Sequence, residues 1–385
     1  MPGSQQRSSA TAAYTRHKAK ARARSAGITL AGQEIGALPP VADPLRRKRG
    51  DGDFRFFCET YFPHLFSLAW SKDHLRVLAK IERVVKRKET LAVAMPRGSG
   101  KTTLCLVAVI WAILSGRHPF VFLVGSTDKQ AVTMLENIRS HLGANKLLLA
   151  DYPEATWPIR CIQHEPRRCA GQRYYGVPTQ IGWGIDELVM PTIPGSKSSG
   201  AIIRVAGITG SIRGALHTRP DGSQVRPTLV ICDDPQTDAS ARSIVQTDER
   251  VSAVNGAISG LAGPGEQTAI IIPCTVIQHE DLADQLLDRK RNPAWSGERT
   301  KMVYKWGAAT KLWARYGELR GASLAIDGDA REATRFYAVN RKAMDRGTVA
   351  GWPARYDPEA GELSALQHAW NIRLKIHDAA FFAEY

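Results

Sequence analysis

Long apolar stretches are missing from this sequence. Its longest uninterrupted apolar run, residues 104–114, has eleven residues, against about twenty for a membrane-crossing helix. No apolar segment follows the N-terminus, so a secretory leader is not expected. Cysteine is sparse, with six in 385 residues. They are scattered and suggest no disulfide framework, which fits a reducing cytoplasm. Cys161, His164 and Cys169 lie close together but lack the short CxxC spacing and a fourth ligand, so a zinc site is not expected. Acid is also in short supply: 37 Asp and Glu stand against 52 Lys and Arg, a net charge of +15. That balance says little about fold. It favours an anionic partner, nucleic acid foremost, and no membrane partner is expected.

The positive charge is uneven. Residues 1–50 carry ten Lys or Arg against Glu34 and Asp43, a net of +8. Arg16, Lys18, Lys20, Arg22 and Arg24 alternate with small residues, and Arg46, Arg47, Lys48 and Arg49 form a second cluster. Residues 1–50 therefore read as a basic, flexible arm that adds sequence-independent affinity for phosphates. From Phe54 onward aromatics become dense, and a folded core is expected over residues 51–300. Apolar residues recur at helical spacing over 74–85, then short apolar strands alternate with helices, which predicts an α/β domain with a mostly parallel sheet. Residues 150–226 are rich in turn-forming residues and resist assignment. Beyond residue 300 the pattern turns helical, and residues 301–385 read as a helical lid or linker.

Four segments carry chemistry. The first is MPRGSGKT, residues 95–102, between a short apolar strand and the long apolar helix. Small residues let backbone N–H groups turn inward around phosphates, a Lys meets the β and γ phosphates, and a hydroxyl meets Mg²⁺. This nominates Pro96, Arg97, Gly98, Ser99, Gly100, Lys101, Thr102 and Thr103 for nucleotide binding, although Met95 stands where the first glycine of the usual pattern would be. The second is LVICDD, residues 229–234, an apolar strand ending in paired acids. Asp233 joins Thr102 as the Mg²⁺ pair, and Asp234 polarises the attacking water. The third is a buried strand ending at Thr275, placed to sense the γ-phosphate. The fourth is Arg213, with Gly210 and Gly214 on either side. It is a candidate for an arginine that reaches a neighbour's γ-phosphate, with Arg97 the alternative. ATP and Mg²⁺ are the expected cofactors.

Together these motifs resemble the phage terminase large subunit, the motor that pumps viral DNA into a preformed capsid. The points of resemblance are MPRGSGKT, the early SIRG at 211–214, and the DDP of 233–235. PTIPGS at 191–196, the approach to it over 172–184, and IIIPCTVIQHEDLADQLL at 270–287 add to it. The resemblance runs from about residue 35 to 385. It implies a P-loop NTPase fold of the RecA/ASCE type and ATP hydrolysis coupled to translocation of double-stranded DNA. It also implies a homo-oligomeric ring, usually a pentamer, docked on a portal protein and fed by a small terminase subunit in the host cytoplasm. Such motors carry a nuclease domain downstream. Here the chain stops at Tyr385, about where that domain would begin, so endonuclease activity is not expected from it. The stretch 324–329, which superficially resembles a nuclease strand ending in acids, reads as a Gly- and Asp-containing loop. Two other readings stay open. A helicase or translocase of another P-loop family would need a second RecA-like lobe. A DNA-binding relic with a vestigial P-loop would not be expected to keep Lys101, Thr102, Asp233 and Asp234 together.

Overall fold

A computed structural model describes residues 15–25, 34–163, 165–210, 212, 214–263, 265–326 and 328–385. Its centre is one sheet of eight strands: β1 (Thr90–Ala94), β2 (Phe120–Gly125), β3 (Gly182–Trp183), β4 (Glu187–Val189), β5 (Ile202–Gly207), β6 (Leu229–Asp233), β7 (Ala269–Cys274) and β8 (Glu298–Arg299). Their order across the sheet is β8-β1-β7-β6-β2-β5-β4-β3. The six from β8 to β5 run parallel; β4 pairs antiparallel with β5, and β3 antiparallel with β4, so β4 alone among the eight is reversed. The central strands are buried on both faces, which is why they read as continuous apolar runs rather than alternating ones.

Successive side chains nonetheless divide between two cores. Leu91, Val93, Val121, Leu123, Leu229, Ile231 and Ile271 join one. Ala92, Ala94, Phe122, Val124, Val230, Cys232, Ile270 and Ile272 join the other. The first core holds helices α2 (Phe54–Tyr61), α3 (Lys72–Arg87), α4 (Lys101–Leu114) and α5 (Asp128–Ala144), and α1 (Pro44–Gly52) packs against α2. The eleven-residue apolar run forms most of α4 and is buried throughout. A helix apolar all round is stable when it is enclosed on every side, as α4 is between the sheet and α2, α3 and α5. No helix among the described residues is long and apolar enough to cross a membrane.

The fold takes in part of what the sequence assigns to the arm. Arg46 and Arg47 lie in α1, where Asp43 caps the helix by accepting from the Arg46 N–H at 2.8 Å. Arg46 forks onto the buried Asp151 with bonds of 2.6 and 2.7 Å, and Arg47 pairs with Glu154. Those two acids lie a hundred residues downstream, so nothing local in the basic cluster announces the pairing. Residues 15–25 are helical, and residues 1–14 and 26–33 lie outside the described residues.

Residues 302–385 build a third, smaller core on helices α6 (Thr310–Ile326), α7 (Arg331–Met344) and α8 (Ala365–Glu384), with Trp313, Tyr316, Tyr337 and Phe381 at its centre. Residues 324–326, expected in a loop, are instead the last turn of α6; Asp327 lies outside the described residues. Helix α8 breaks at His377, whose φ of 65° is left-handed, and the chain from 378 to 385 folds back toward the sheet. There the Met302 N–H donates to the Tyr385 carbonyl at 2.8 Å.

Candidate active site

The parallel strands end at one edge of the sheet, and the ends of three of them, β1, β6 and β7, bring the candidate residues together. The register aligns Ala94 with Cys274 and Asp233 with Gly125. The loop 95–100 after β1 therefore stands beside Thr275 after β7 and the acids at the end of β6. Strand β7 lies between β1 and β6, so its end is wedged between loop and acids. In open α/β sheets ligands bind at this carboxyl edge, where strand order reverses.

The loop itself is tight. Gly98 and Gly100 have φ of 75° and 81°, conformations costly for any residue with a Cβ. The Ser99 N–H donates to the Pro96 carbonyl at 3.1 Å, closing the turn, and Gly100 caps α4. A helix N-terminus with unsatisfied N–H groups and a positive dipole end thus opens at the site. Lys101, only 8% exposed, donates from Nζ to Thr275 Oγ1 at 2.8 Å and stands 3.5 Å from Asp234 Oδ2. Thr275 Oγ1 in turn donates to Asp234 Oδ1 at 3.3 Å. Thr102 Oγ1 sits 2.9 and 3.1 Å from the two Asp233 oxygens.

Asp233 is 2% exposed, and its carboxyl is pushed up to about 7. Burial is the main cause and the Asp234 charge the next, only partly offset by Thr102, Lys101 and Gln130. Two acids so placed form a pocket of negative potential that calls for a cation, and a carboxylate with a facing hydroxyl is a donor set suited to Mg²⁺. Asp234 has φ 41°, left-handed for a non-glycine residue, and its N–H is taken by the Pro273 carbonyl at 2.9 Å. Strain of this kind concentrates at functional positions. The Ser99 hydroxyl is buried without a hydrogen-bond partner among the described residues.

The other candidates fall as follows. Thr103 lies in the first turn of α4, half-buried. Arg97 points outward, and its Nη1 bonds both Glu384 oxygens at 2.8 Å. Arg213 and Ser211 lie outside the described residues, although Ile212 between them is buried in the second core. His164 also lies outside them; burial raises the thiol of Cys169 to about 11, the opposite of what a thiolate ligand needs. Among the described residues the one cluster with metal-ligand spacing is His279, Glu280 and Asp284. It sits on the surface, with Arg291 on Glu280 and Arg299 at 3.2 Å from Asp284.

Several supporting residues are not evident from the motifs. Gln236 donates to the Thr275 carbonyl at 2.8 Å and to the fully buried Asp281 at 2.9 Å. Asp281 also accepts the N–H groups of Ile277 and Gln278, fixing the turn that presents Thr275. From α3, His74 reaches the Ser99 carbonyl at 3.0 Å. From the C-terminal part, Arg355 reaches the Arg97 carbonyl at 2.7 Å.

The class of protein is thereby set at the level of architecture: an α/β chain whose mostly parallel sheet, flanked by helices, gathers a glycine turn, a lysine, two acids and two threonines at its carboxyl edge. No protein-family model matches the chain, and no curated protein matches it either.

Proposed function

We propose that this chain is an ATP-hydrolysing motor domain of the P-loop class, of the kind found in phage terminase large subunits, acting on double-stranded DNA. The observation that carries the reading is the convergence of Lys101, Thr102, Asp233, Asp234 and Thr275 from three separate strand ends. The interposed β7 also supports it, because in RecA/ASCE-type ATPases a strand separates the phosphate loop from the acids.

In this reading the 95–100 loop and the α4 N-terminus hold the phosphates, and Lys101 exchanges Thr275 and Asp234 for the β and γ oxygens. Thr102 and Asp233 would hold Mg²⁺, which supplies charge neutralisation on the phosphate oxygens when bound. Asp234 orients a water and takes up its proton as the water oxygen bonds to the γ-phosphorus. The bond to the β–γ bridging oxygen breaks, and ADP leaves with the electron pair. Thr275, released from Lys101, reports the change to the turn held by Gln236 and Asp281. Arg97 or Arg213 supplies the remaining positive charge, in cis or from a neighbouring subunit of a ring. Portal and small-subunit partners belong to the same reading.

Among the described residues there is one extended parallel sheet, and 302–385 form a helical cluster instead of a second one. That favours the packaging-motor reading over a two-lobed helicase. The test is Mg²⁺-dependent ATP hydrolysis with and without double-stranded DNA. Turnover stimulated by DNA and abolished in Lys101→Ala is expected. Full turnover in Lys101→Ala would contradict the site, and turnover indifferent to DNA would contradict the partner. Deleting residues 1–33 removes six Lys or Arg and no acid. It should leave basal turnover intact and lower the slope of log affinity for DNA against log salt by up to about five.

A further inference from the structure

Two carbonyls on the outer side of the 95–100 loop are held by side chains from distant parts of the chain. Arg355 Nη2 donates to the Arg97 carbonyl at 2.7 Å, and His74 Nε2 donates to the Ser99 carbonyl at 3.0 Å. His74 can donate there because its Nδ1 receives the Ser71 hydroxyl at 2.7 Å, which fixes the tautomer. Burial lowers the pKa of both groups. Trp352 braces the pair: its ring centroid is 4.3 Å from that of His74, and its Nε1 donates to the Ala69 carbonyl at 2.7 Å. These residues line a cavity of ≈ 20 Å³ that includes none of Lys101, Asp233 and Asp234. Gly98 is shaped to the contact, since a Cβ there would stand 2.9 Å from Arg355 Nη2.

In a trans peptide the C=O and the following N–H point in opposite directions. Pinning the Arg97 carbonyl outward turns the Gly98 N–H inward, and pinning the Ser99 carbonyl does the same for Gly100. The Ser99 N–H between them is spent on Pro96. We infer that Arg355 and His74 are positioning residues that preset the Gly98 and Gly100 amides for a polyphosphate, and that Arg355 thereby ties phosphate affinity to the C-terminal helical part. This rests on the nucleotide-binding reading above.

The experiment uses the full chain, inorganic tripolyphosphate as probe, and ¹⁵N-glycine labelling to follow the Gly98 and Gly100 amides. Tripolyphosphate should shift both amides in the wild type. Arg355→Ala should weaken binding about tenfold, the worth of one hydrogen bond from a charged donor, and should abolish the Gly98 shift while sparing that of Gly100. His74→Ala should do the reverse, and Arg355→Lys, which still donates, should recover part of the loss. Binding and amide shifts unchanged in a folded Arg355→Ala overturn the inference. If Arg355→Ala does not fold, an Arg355→Lys protein that loses the Gly98 shift yet binds tripolyphosphate as tightly as the wild type overturns it too. A wild type that binds neither tripolyphosphate nor ATP fails the nucleotide reading itself.

Discussion

The inner and outer sides of the 95–100 loop are built in opposite ways. The inner side consists of strand ends: Lys101, Asp233, Asp234 and Thr275 each sit within two residues of a strand or helix terminus and meet because the sheet is in register. The outer side is held by His74 from α3, Arg355 from a loop and Glu384 from the folded-back end of α8. The inner residues lie in short motifs, whereas support on the outer side comes from segments up to 287 residues away. Substitutions inside should therefore stop the reaction, and substitutions outside should tune it.

The largest effect expected from the pair of acids is on Asp234. Asp234→Asn keeps the shape but not the acceptor charge, so ATP should still bind while turnover falls about 10²- to 10⁴-fold. Rapid-quench measurement of a single turnover checks this, and normal turnover would move the base elsewhere.

Asp233→Asn should show that the inner side is built at the expense of stability. In the folded chain this carboxyl titrates near 7 instead of 3.8, chiefly because it is buried. A raised carboxyl binds its proton more tightly folded than unfolded. Its contribution is thus whole below about pH 4 and is lost as pH rises through 7, at about 1.4 kcal/mol per pKa unit. Without divalent cations the wild type should lose stability between pH 5 and 8. Asp233→Asn should lose less and melt several degrees higher at pH 8, and Mg²⁺ should narrow that gap. Parallel melting curves at both pH values would remove the charge argument.

The smallest effect belongs outside. Glu384→Gln takes the countercharge from Arg97, whose side chain is 68% exposed. An exposed pair is worth at most about 1 kcal/mol, so kcat/KM for ATP should change no more than about fivefold. A hundredfold change would place Glu384 with the inner residues and erase the distinction between the two sides.

The same contrast explains what was legible in the sequence. The parallel sheet could be read because its strands are apolar runs flanked by turn signals, and residues 95–102 and 229–234 could be read because motif and secondary structure coincide. Residues 150–226 resisted because their strands are short, two or three residues each apart from β5, and carry no period to detect. The reach of the basic arm was overestimated because Arg46 and Arg47 are neutralised by Asp151 and Glu154, acids that only the fold brings near. Arg355 was invisible for the same reason: nothing around it in sequence marks its carbonyl partner.

The central claim is that the carboxyl edge of this sheet binds a nucleoside triphosphate with a divalent cation. Calorimetric titration with a non-hydrolysable ATP analogue, with and without Mg²⁺, tests it most directly in the wild type and Lys101→Ala. The account predicts binding to the wild type that Mg²⁺ strengthens and that Lys101→Ala loses by at least about tenfold. Equal binding to both proteins, or none to the wild type, would contradict it.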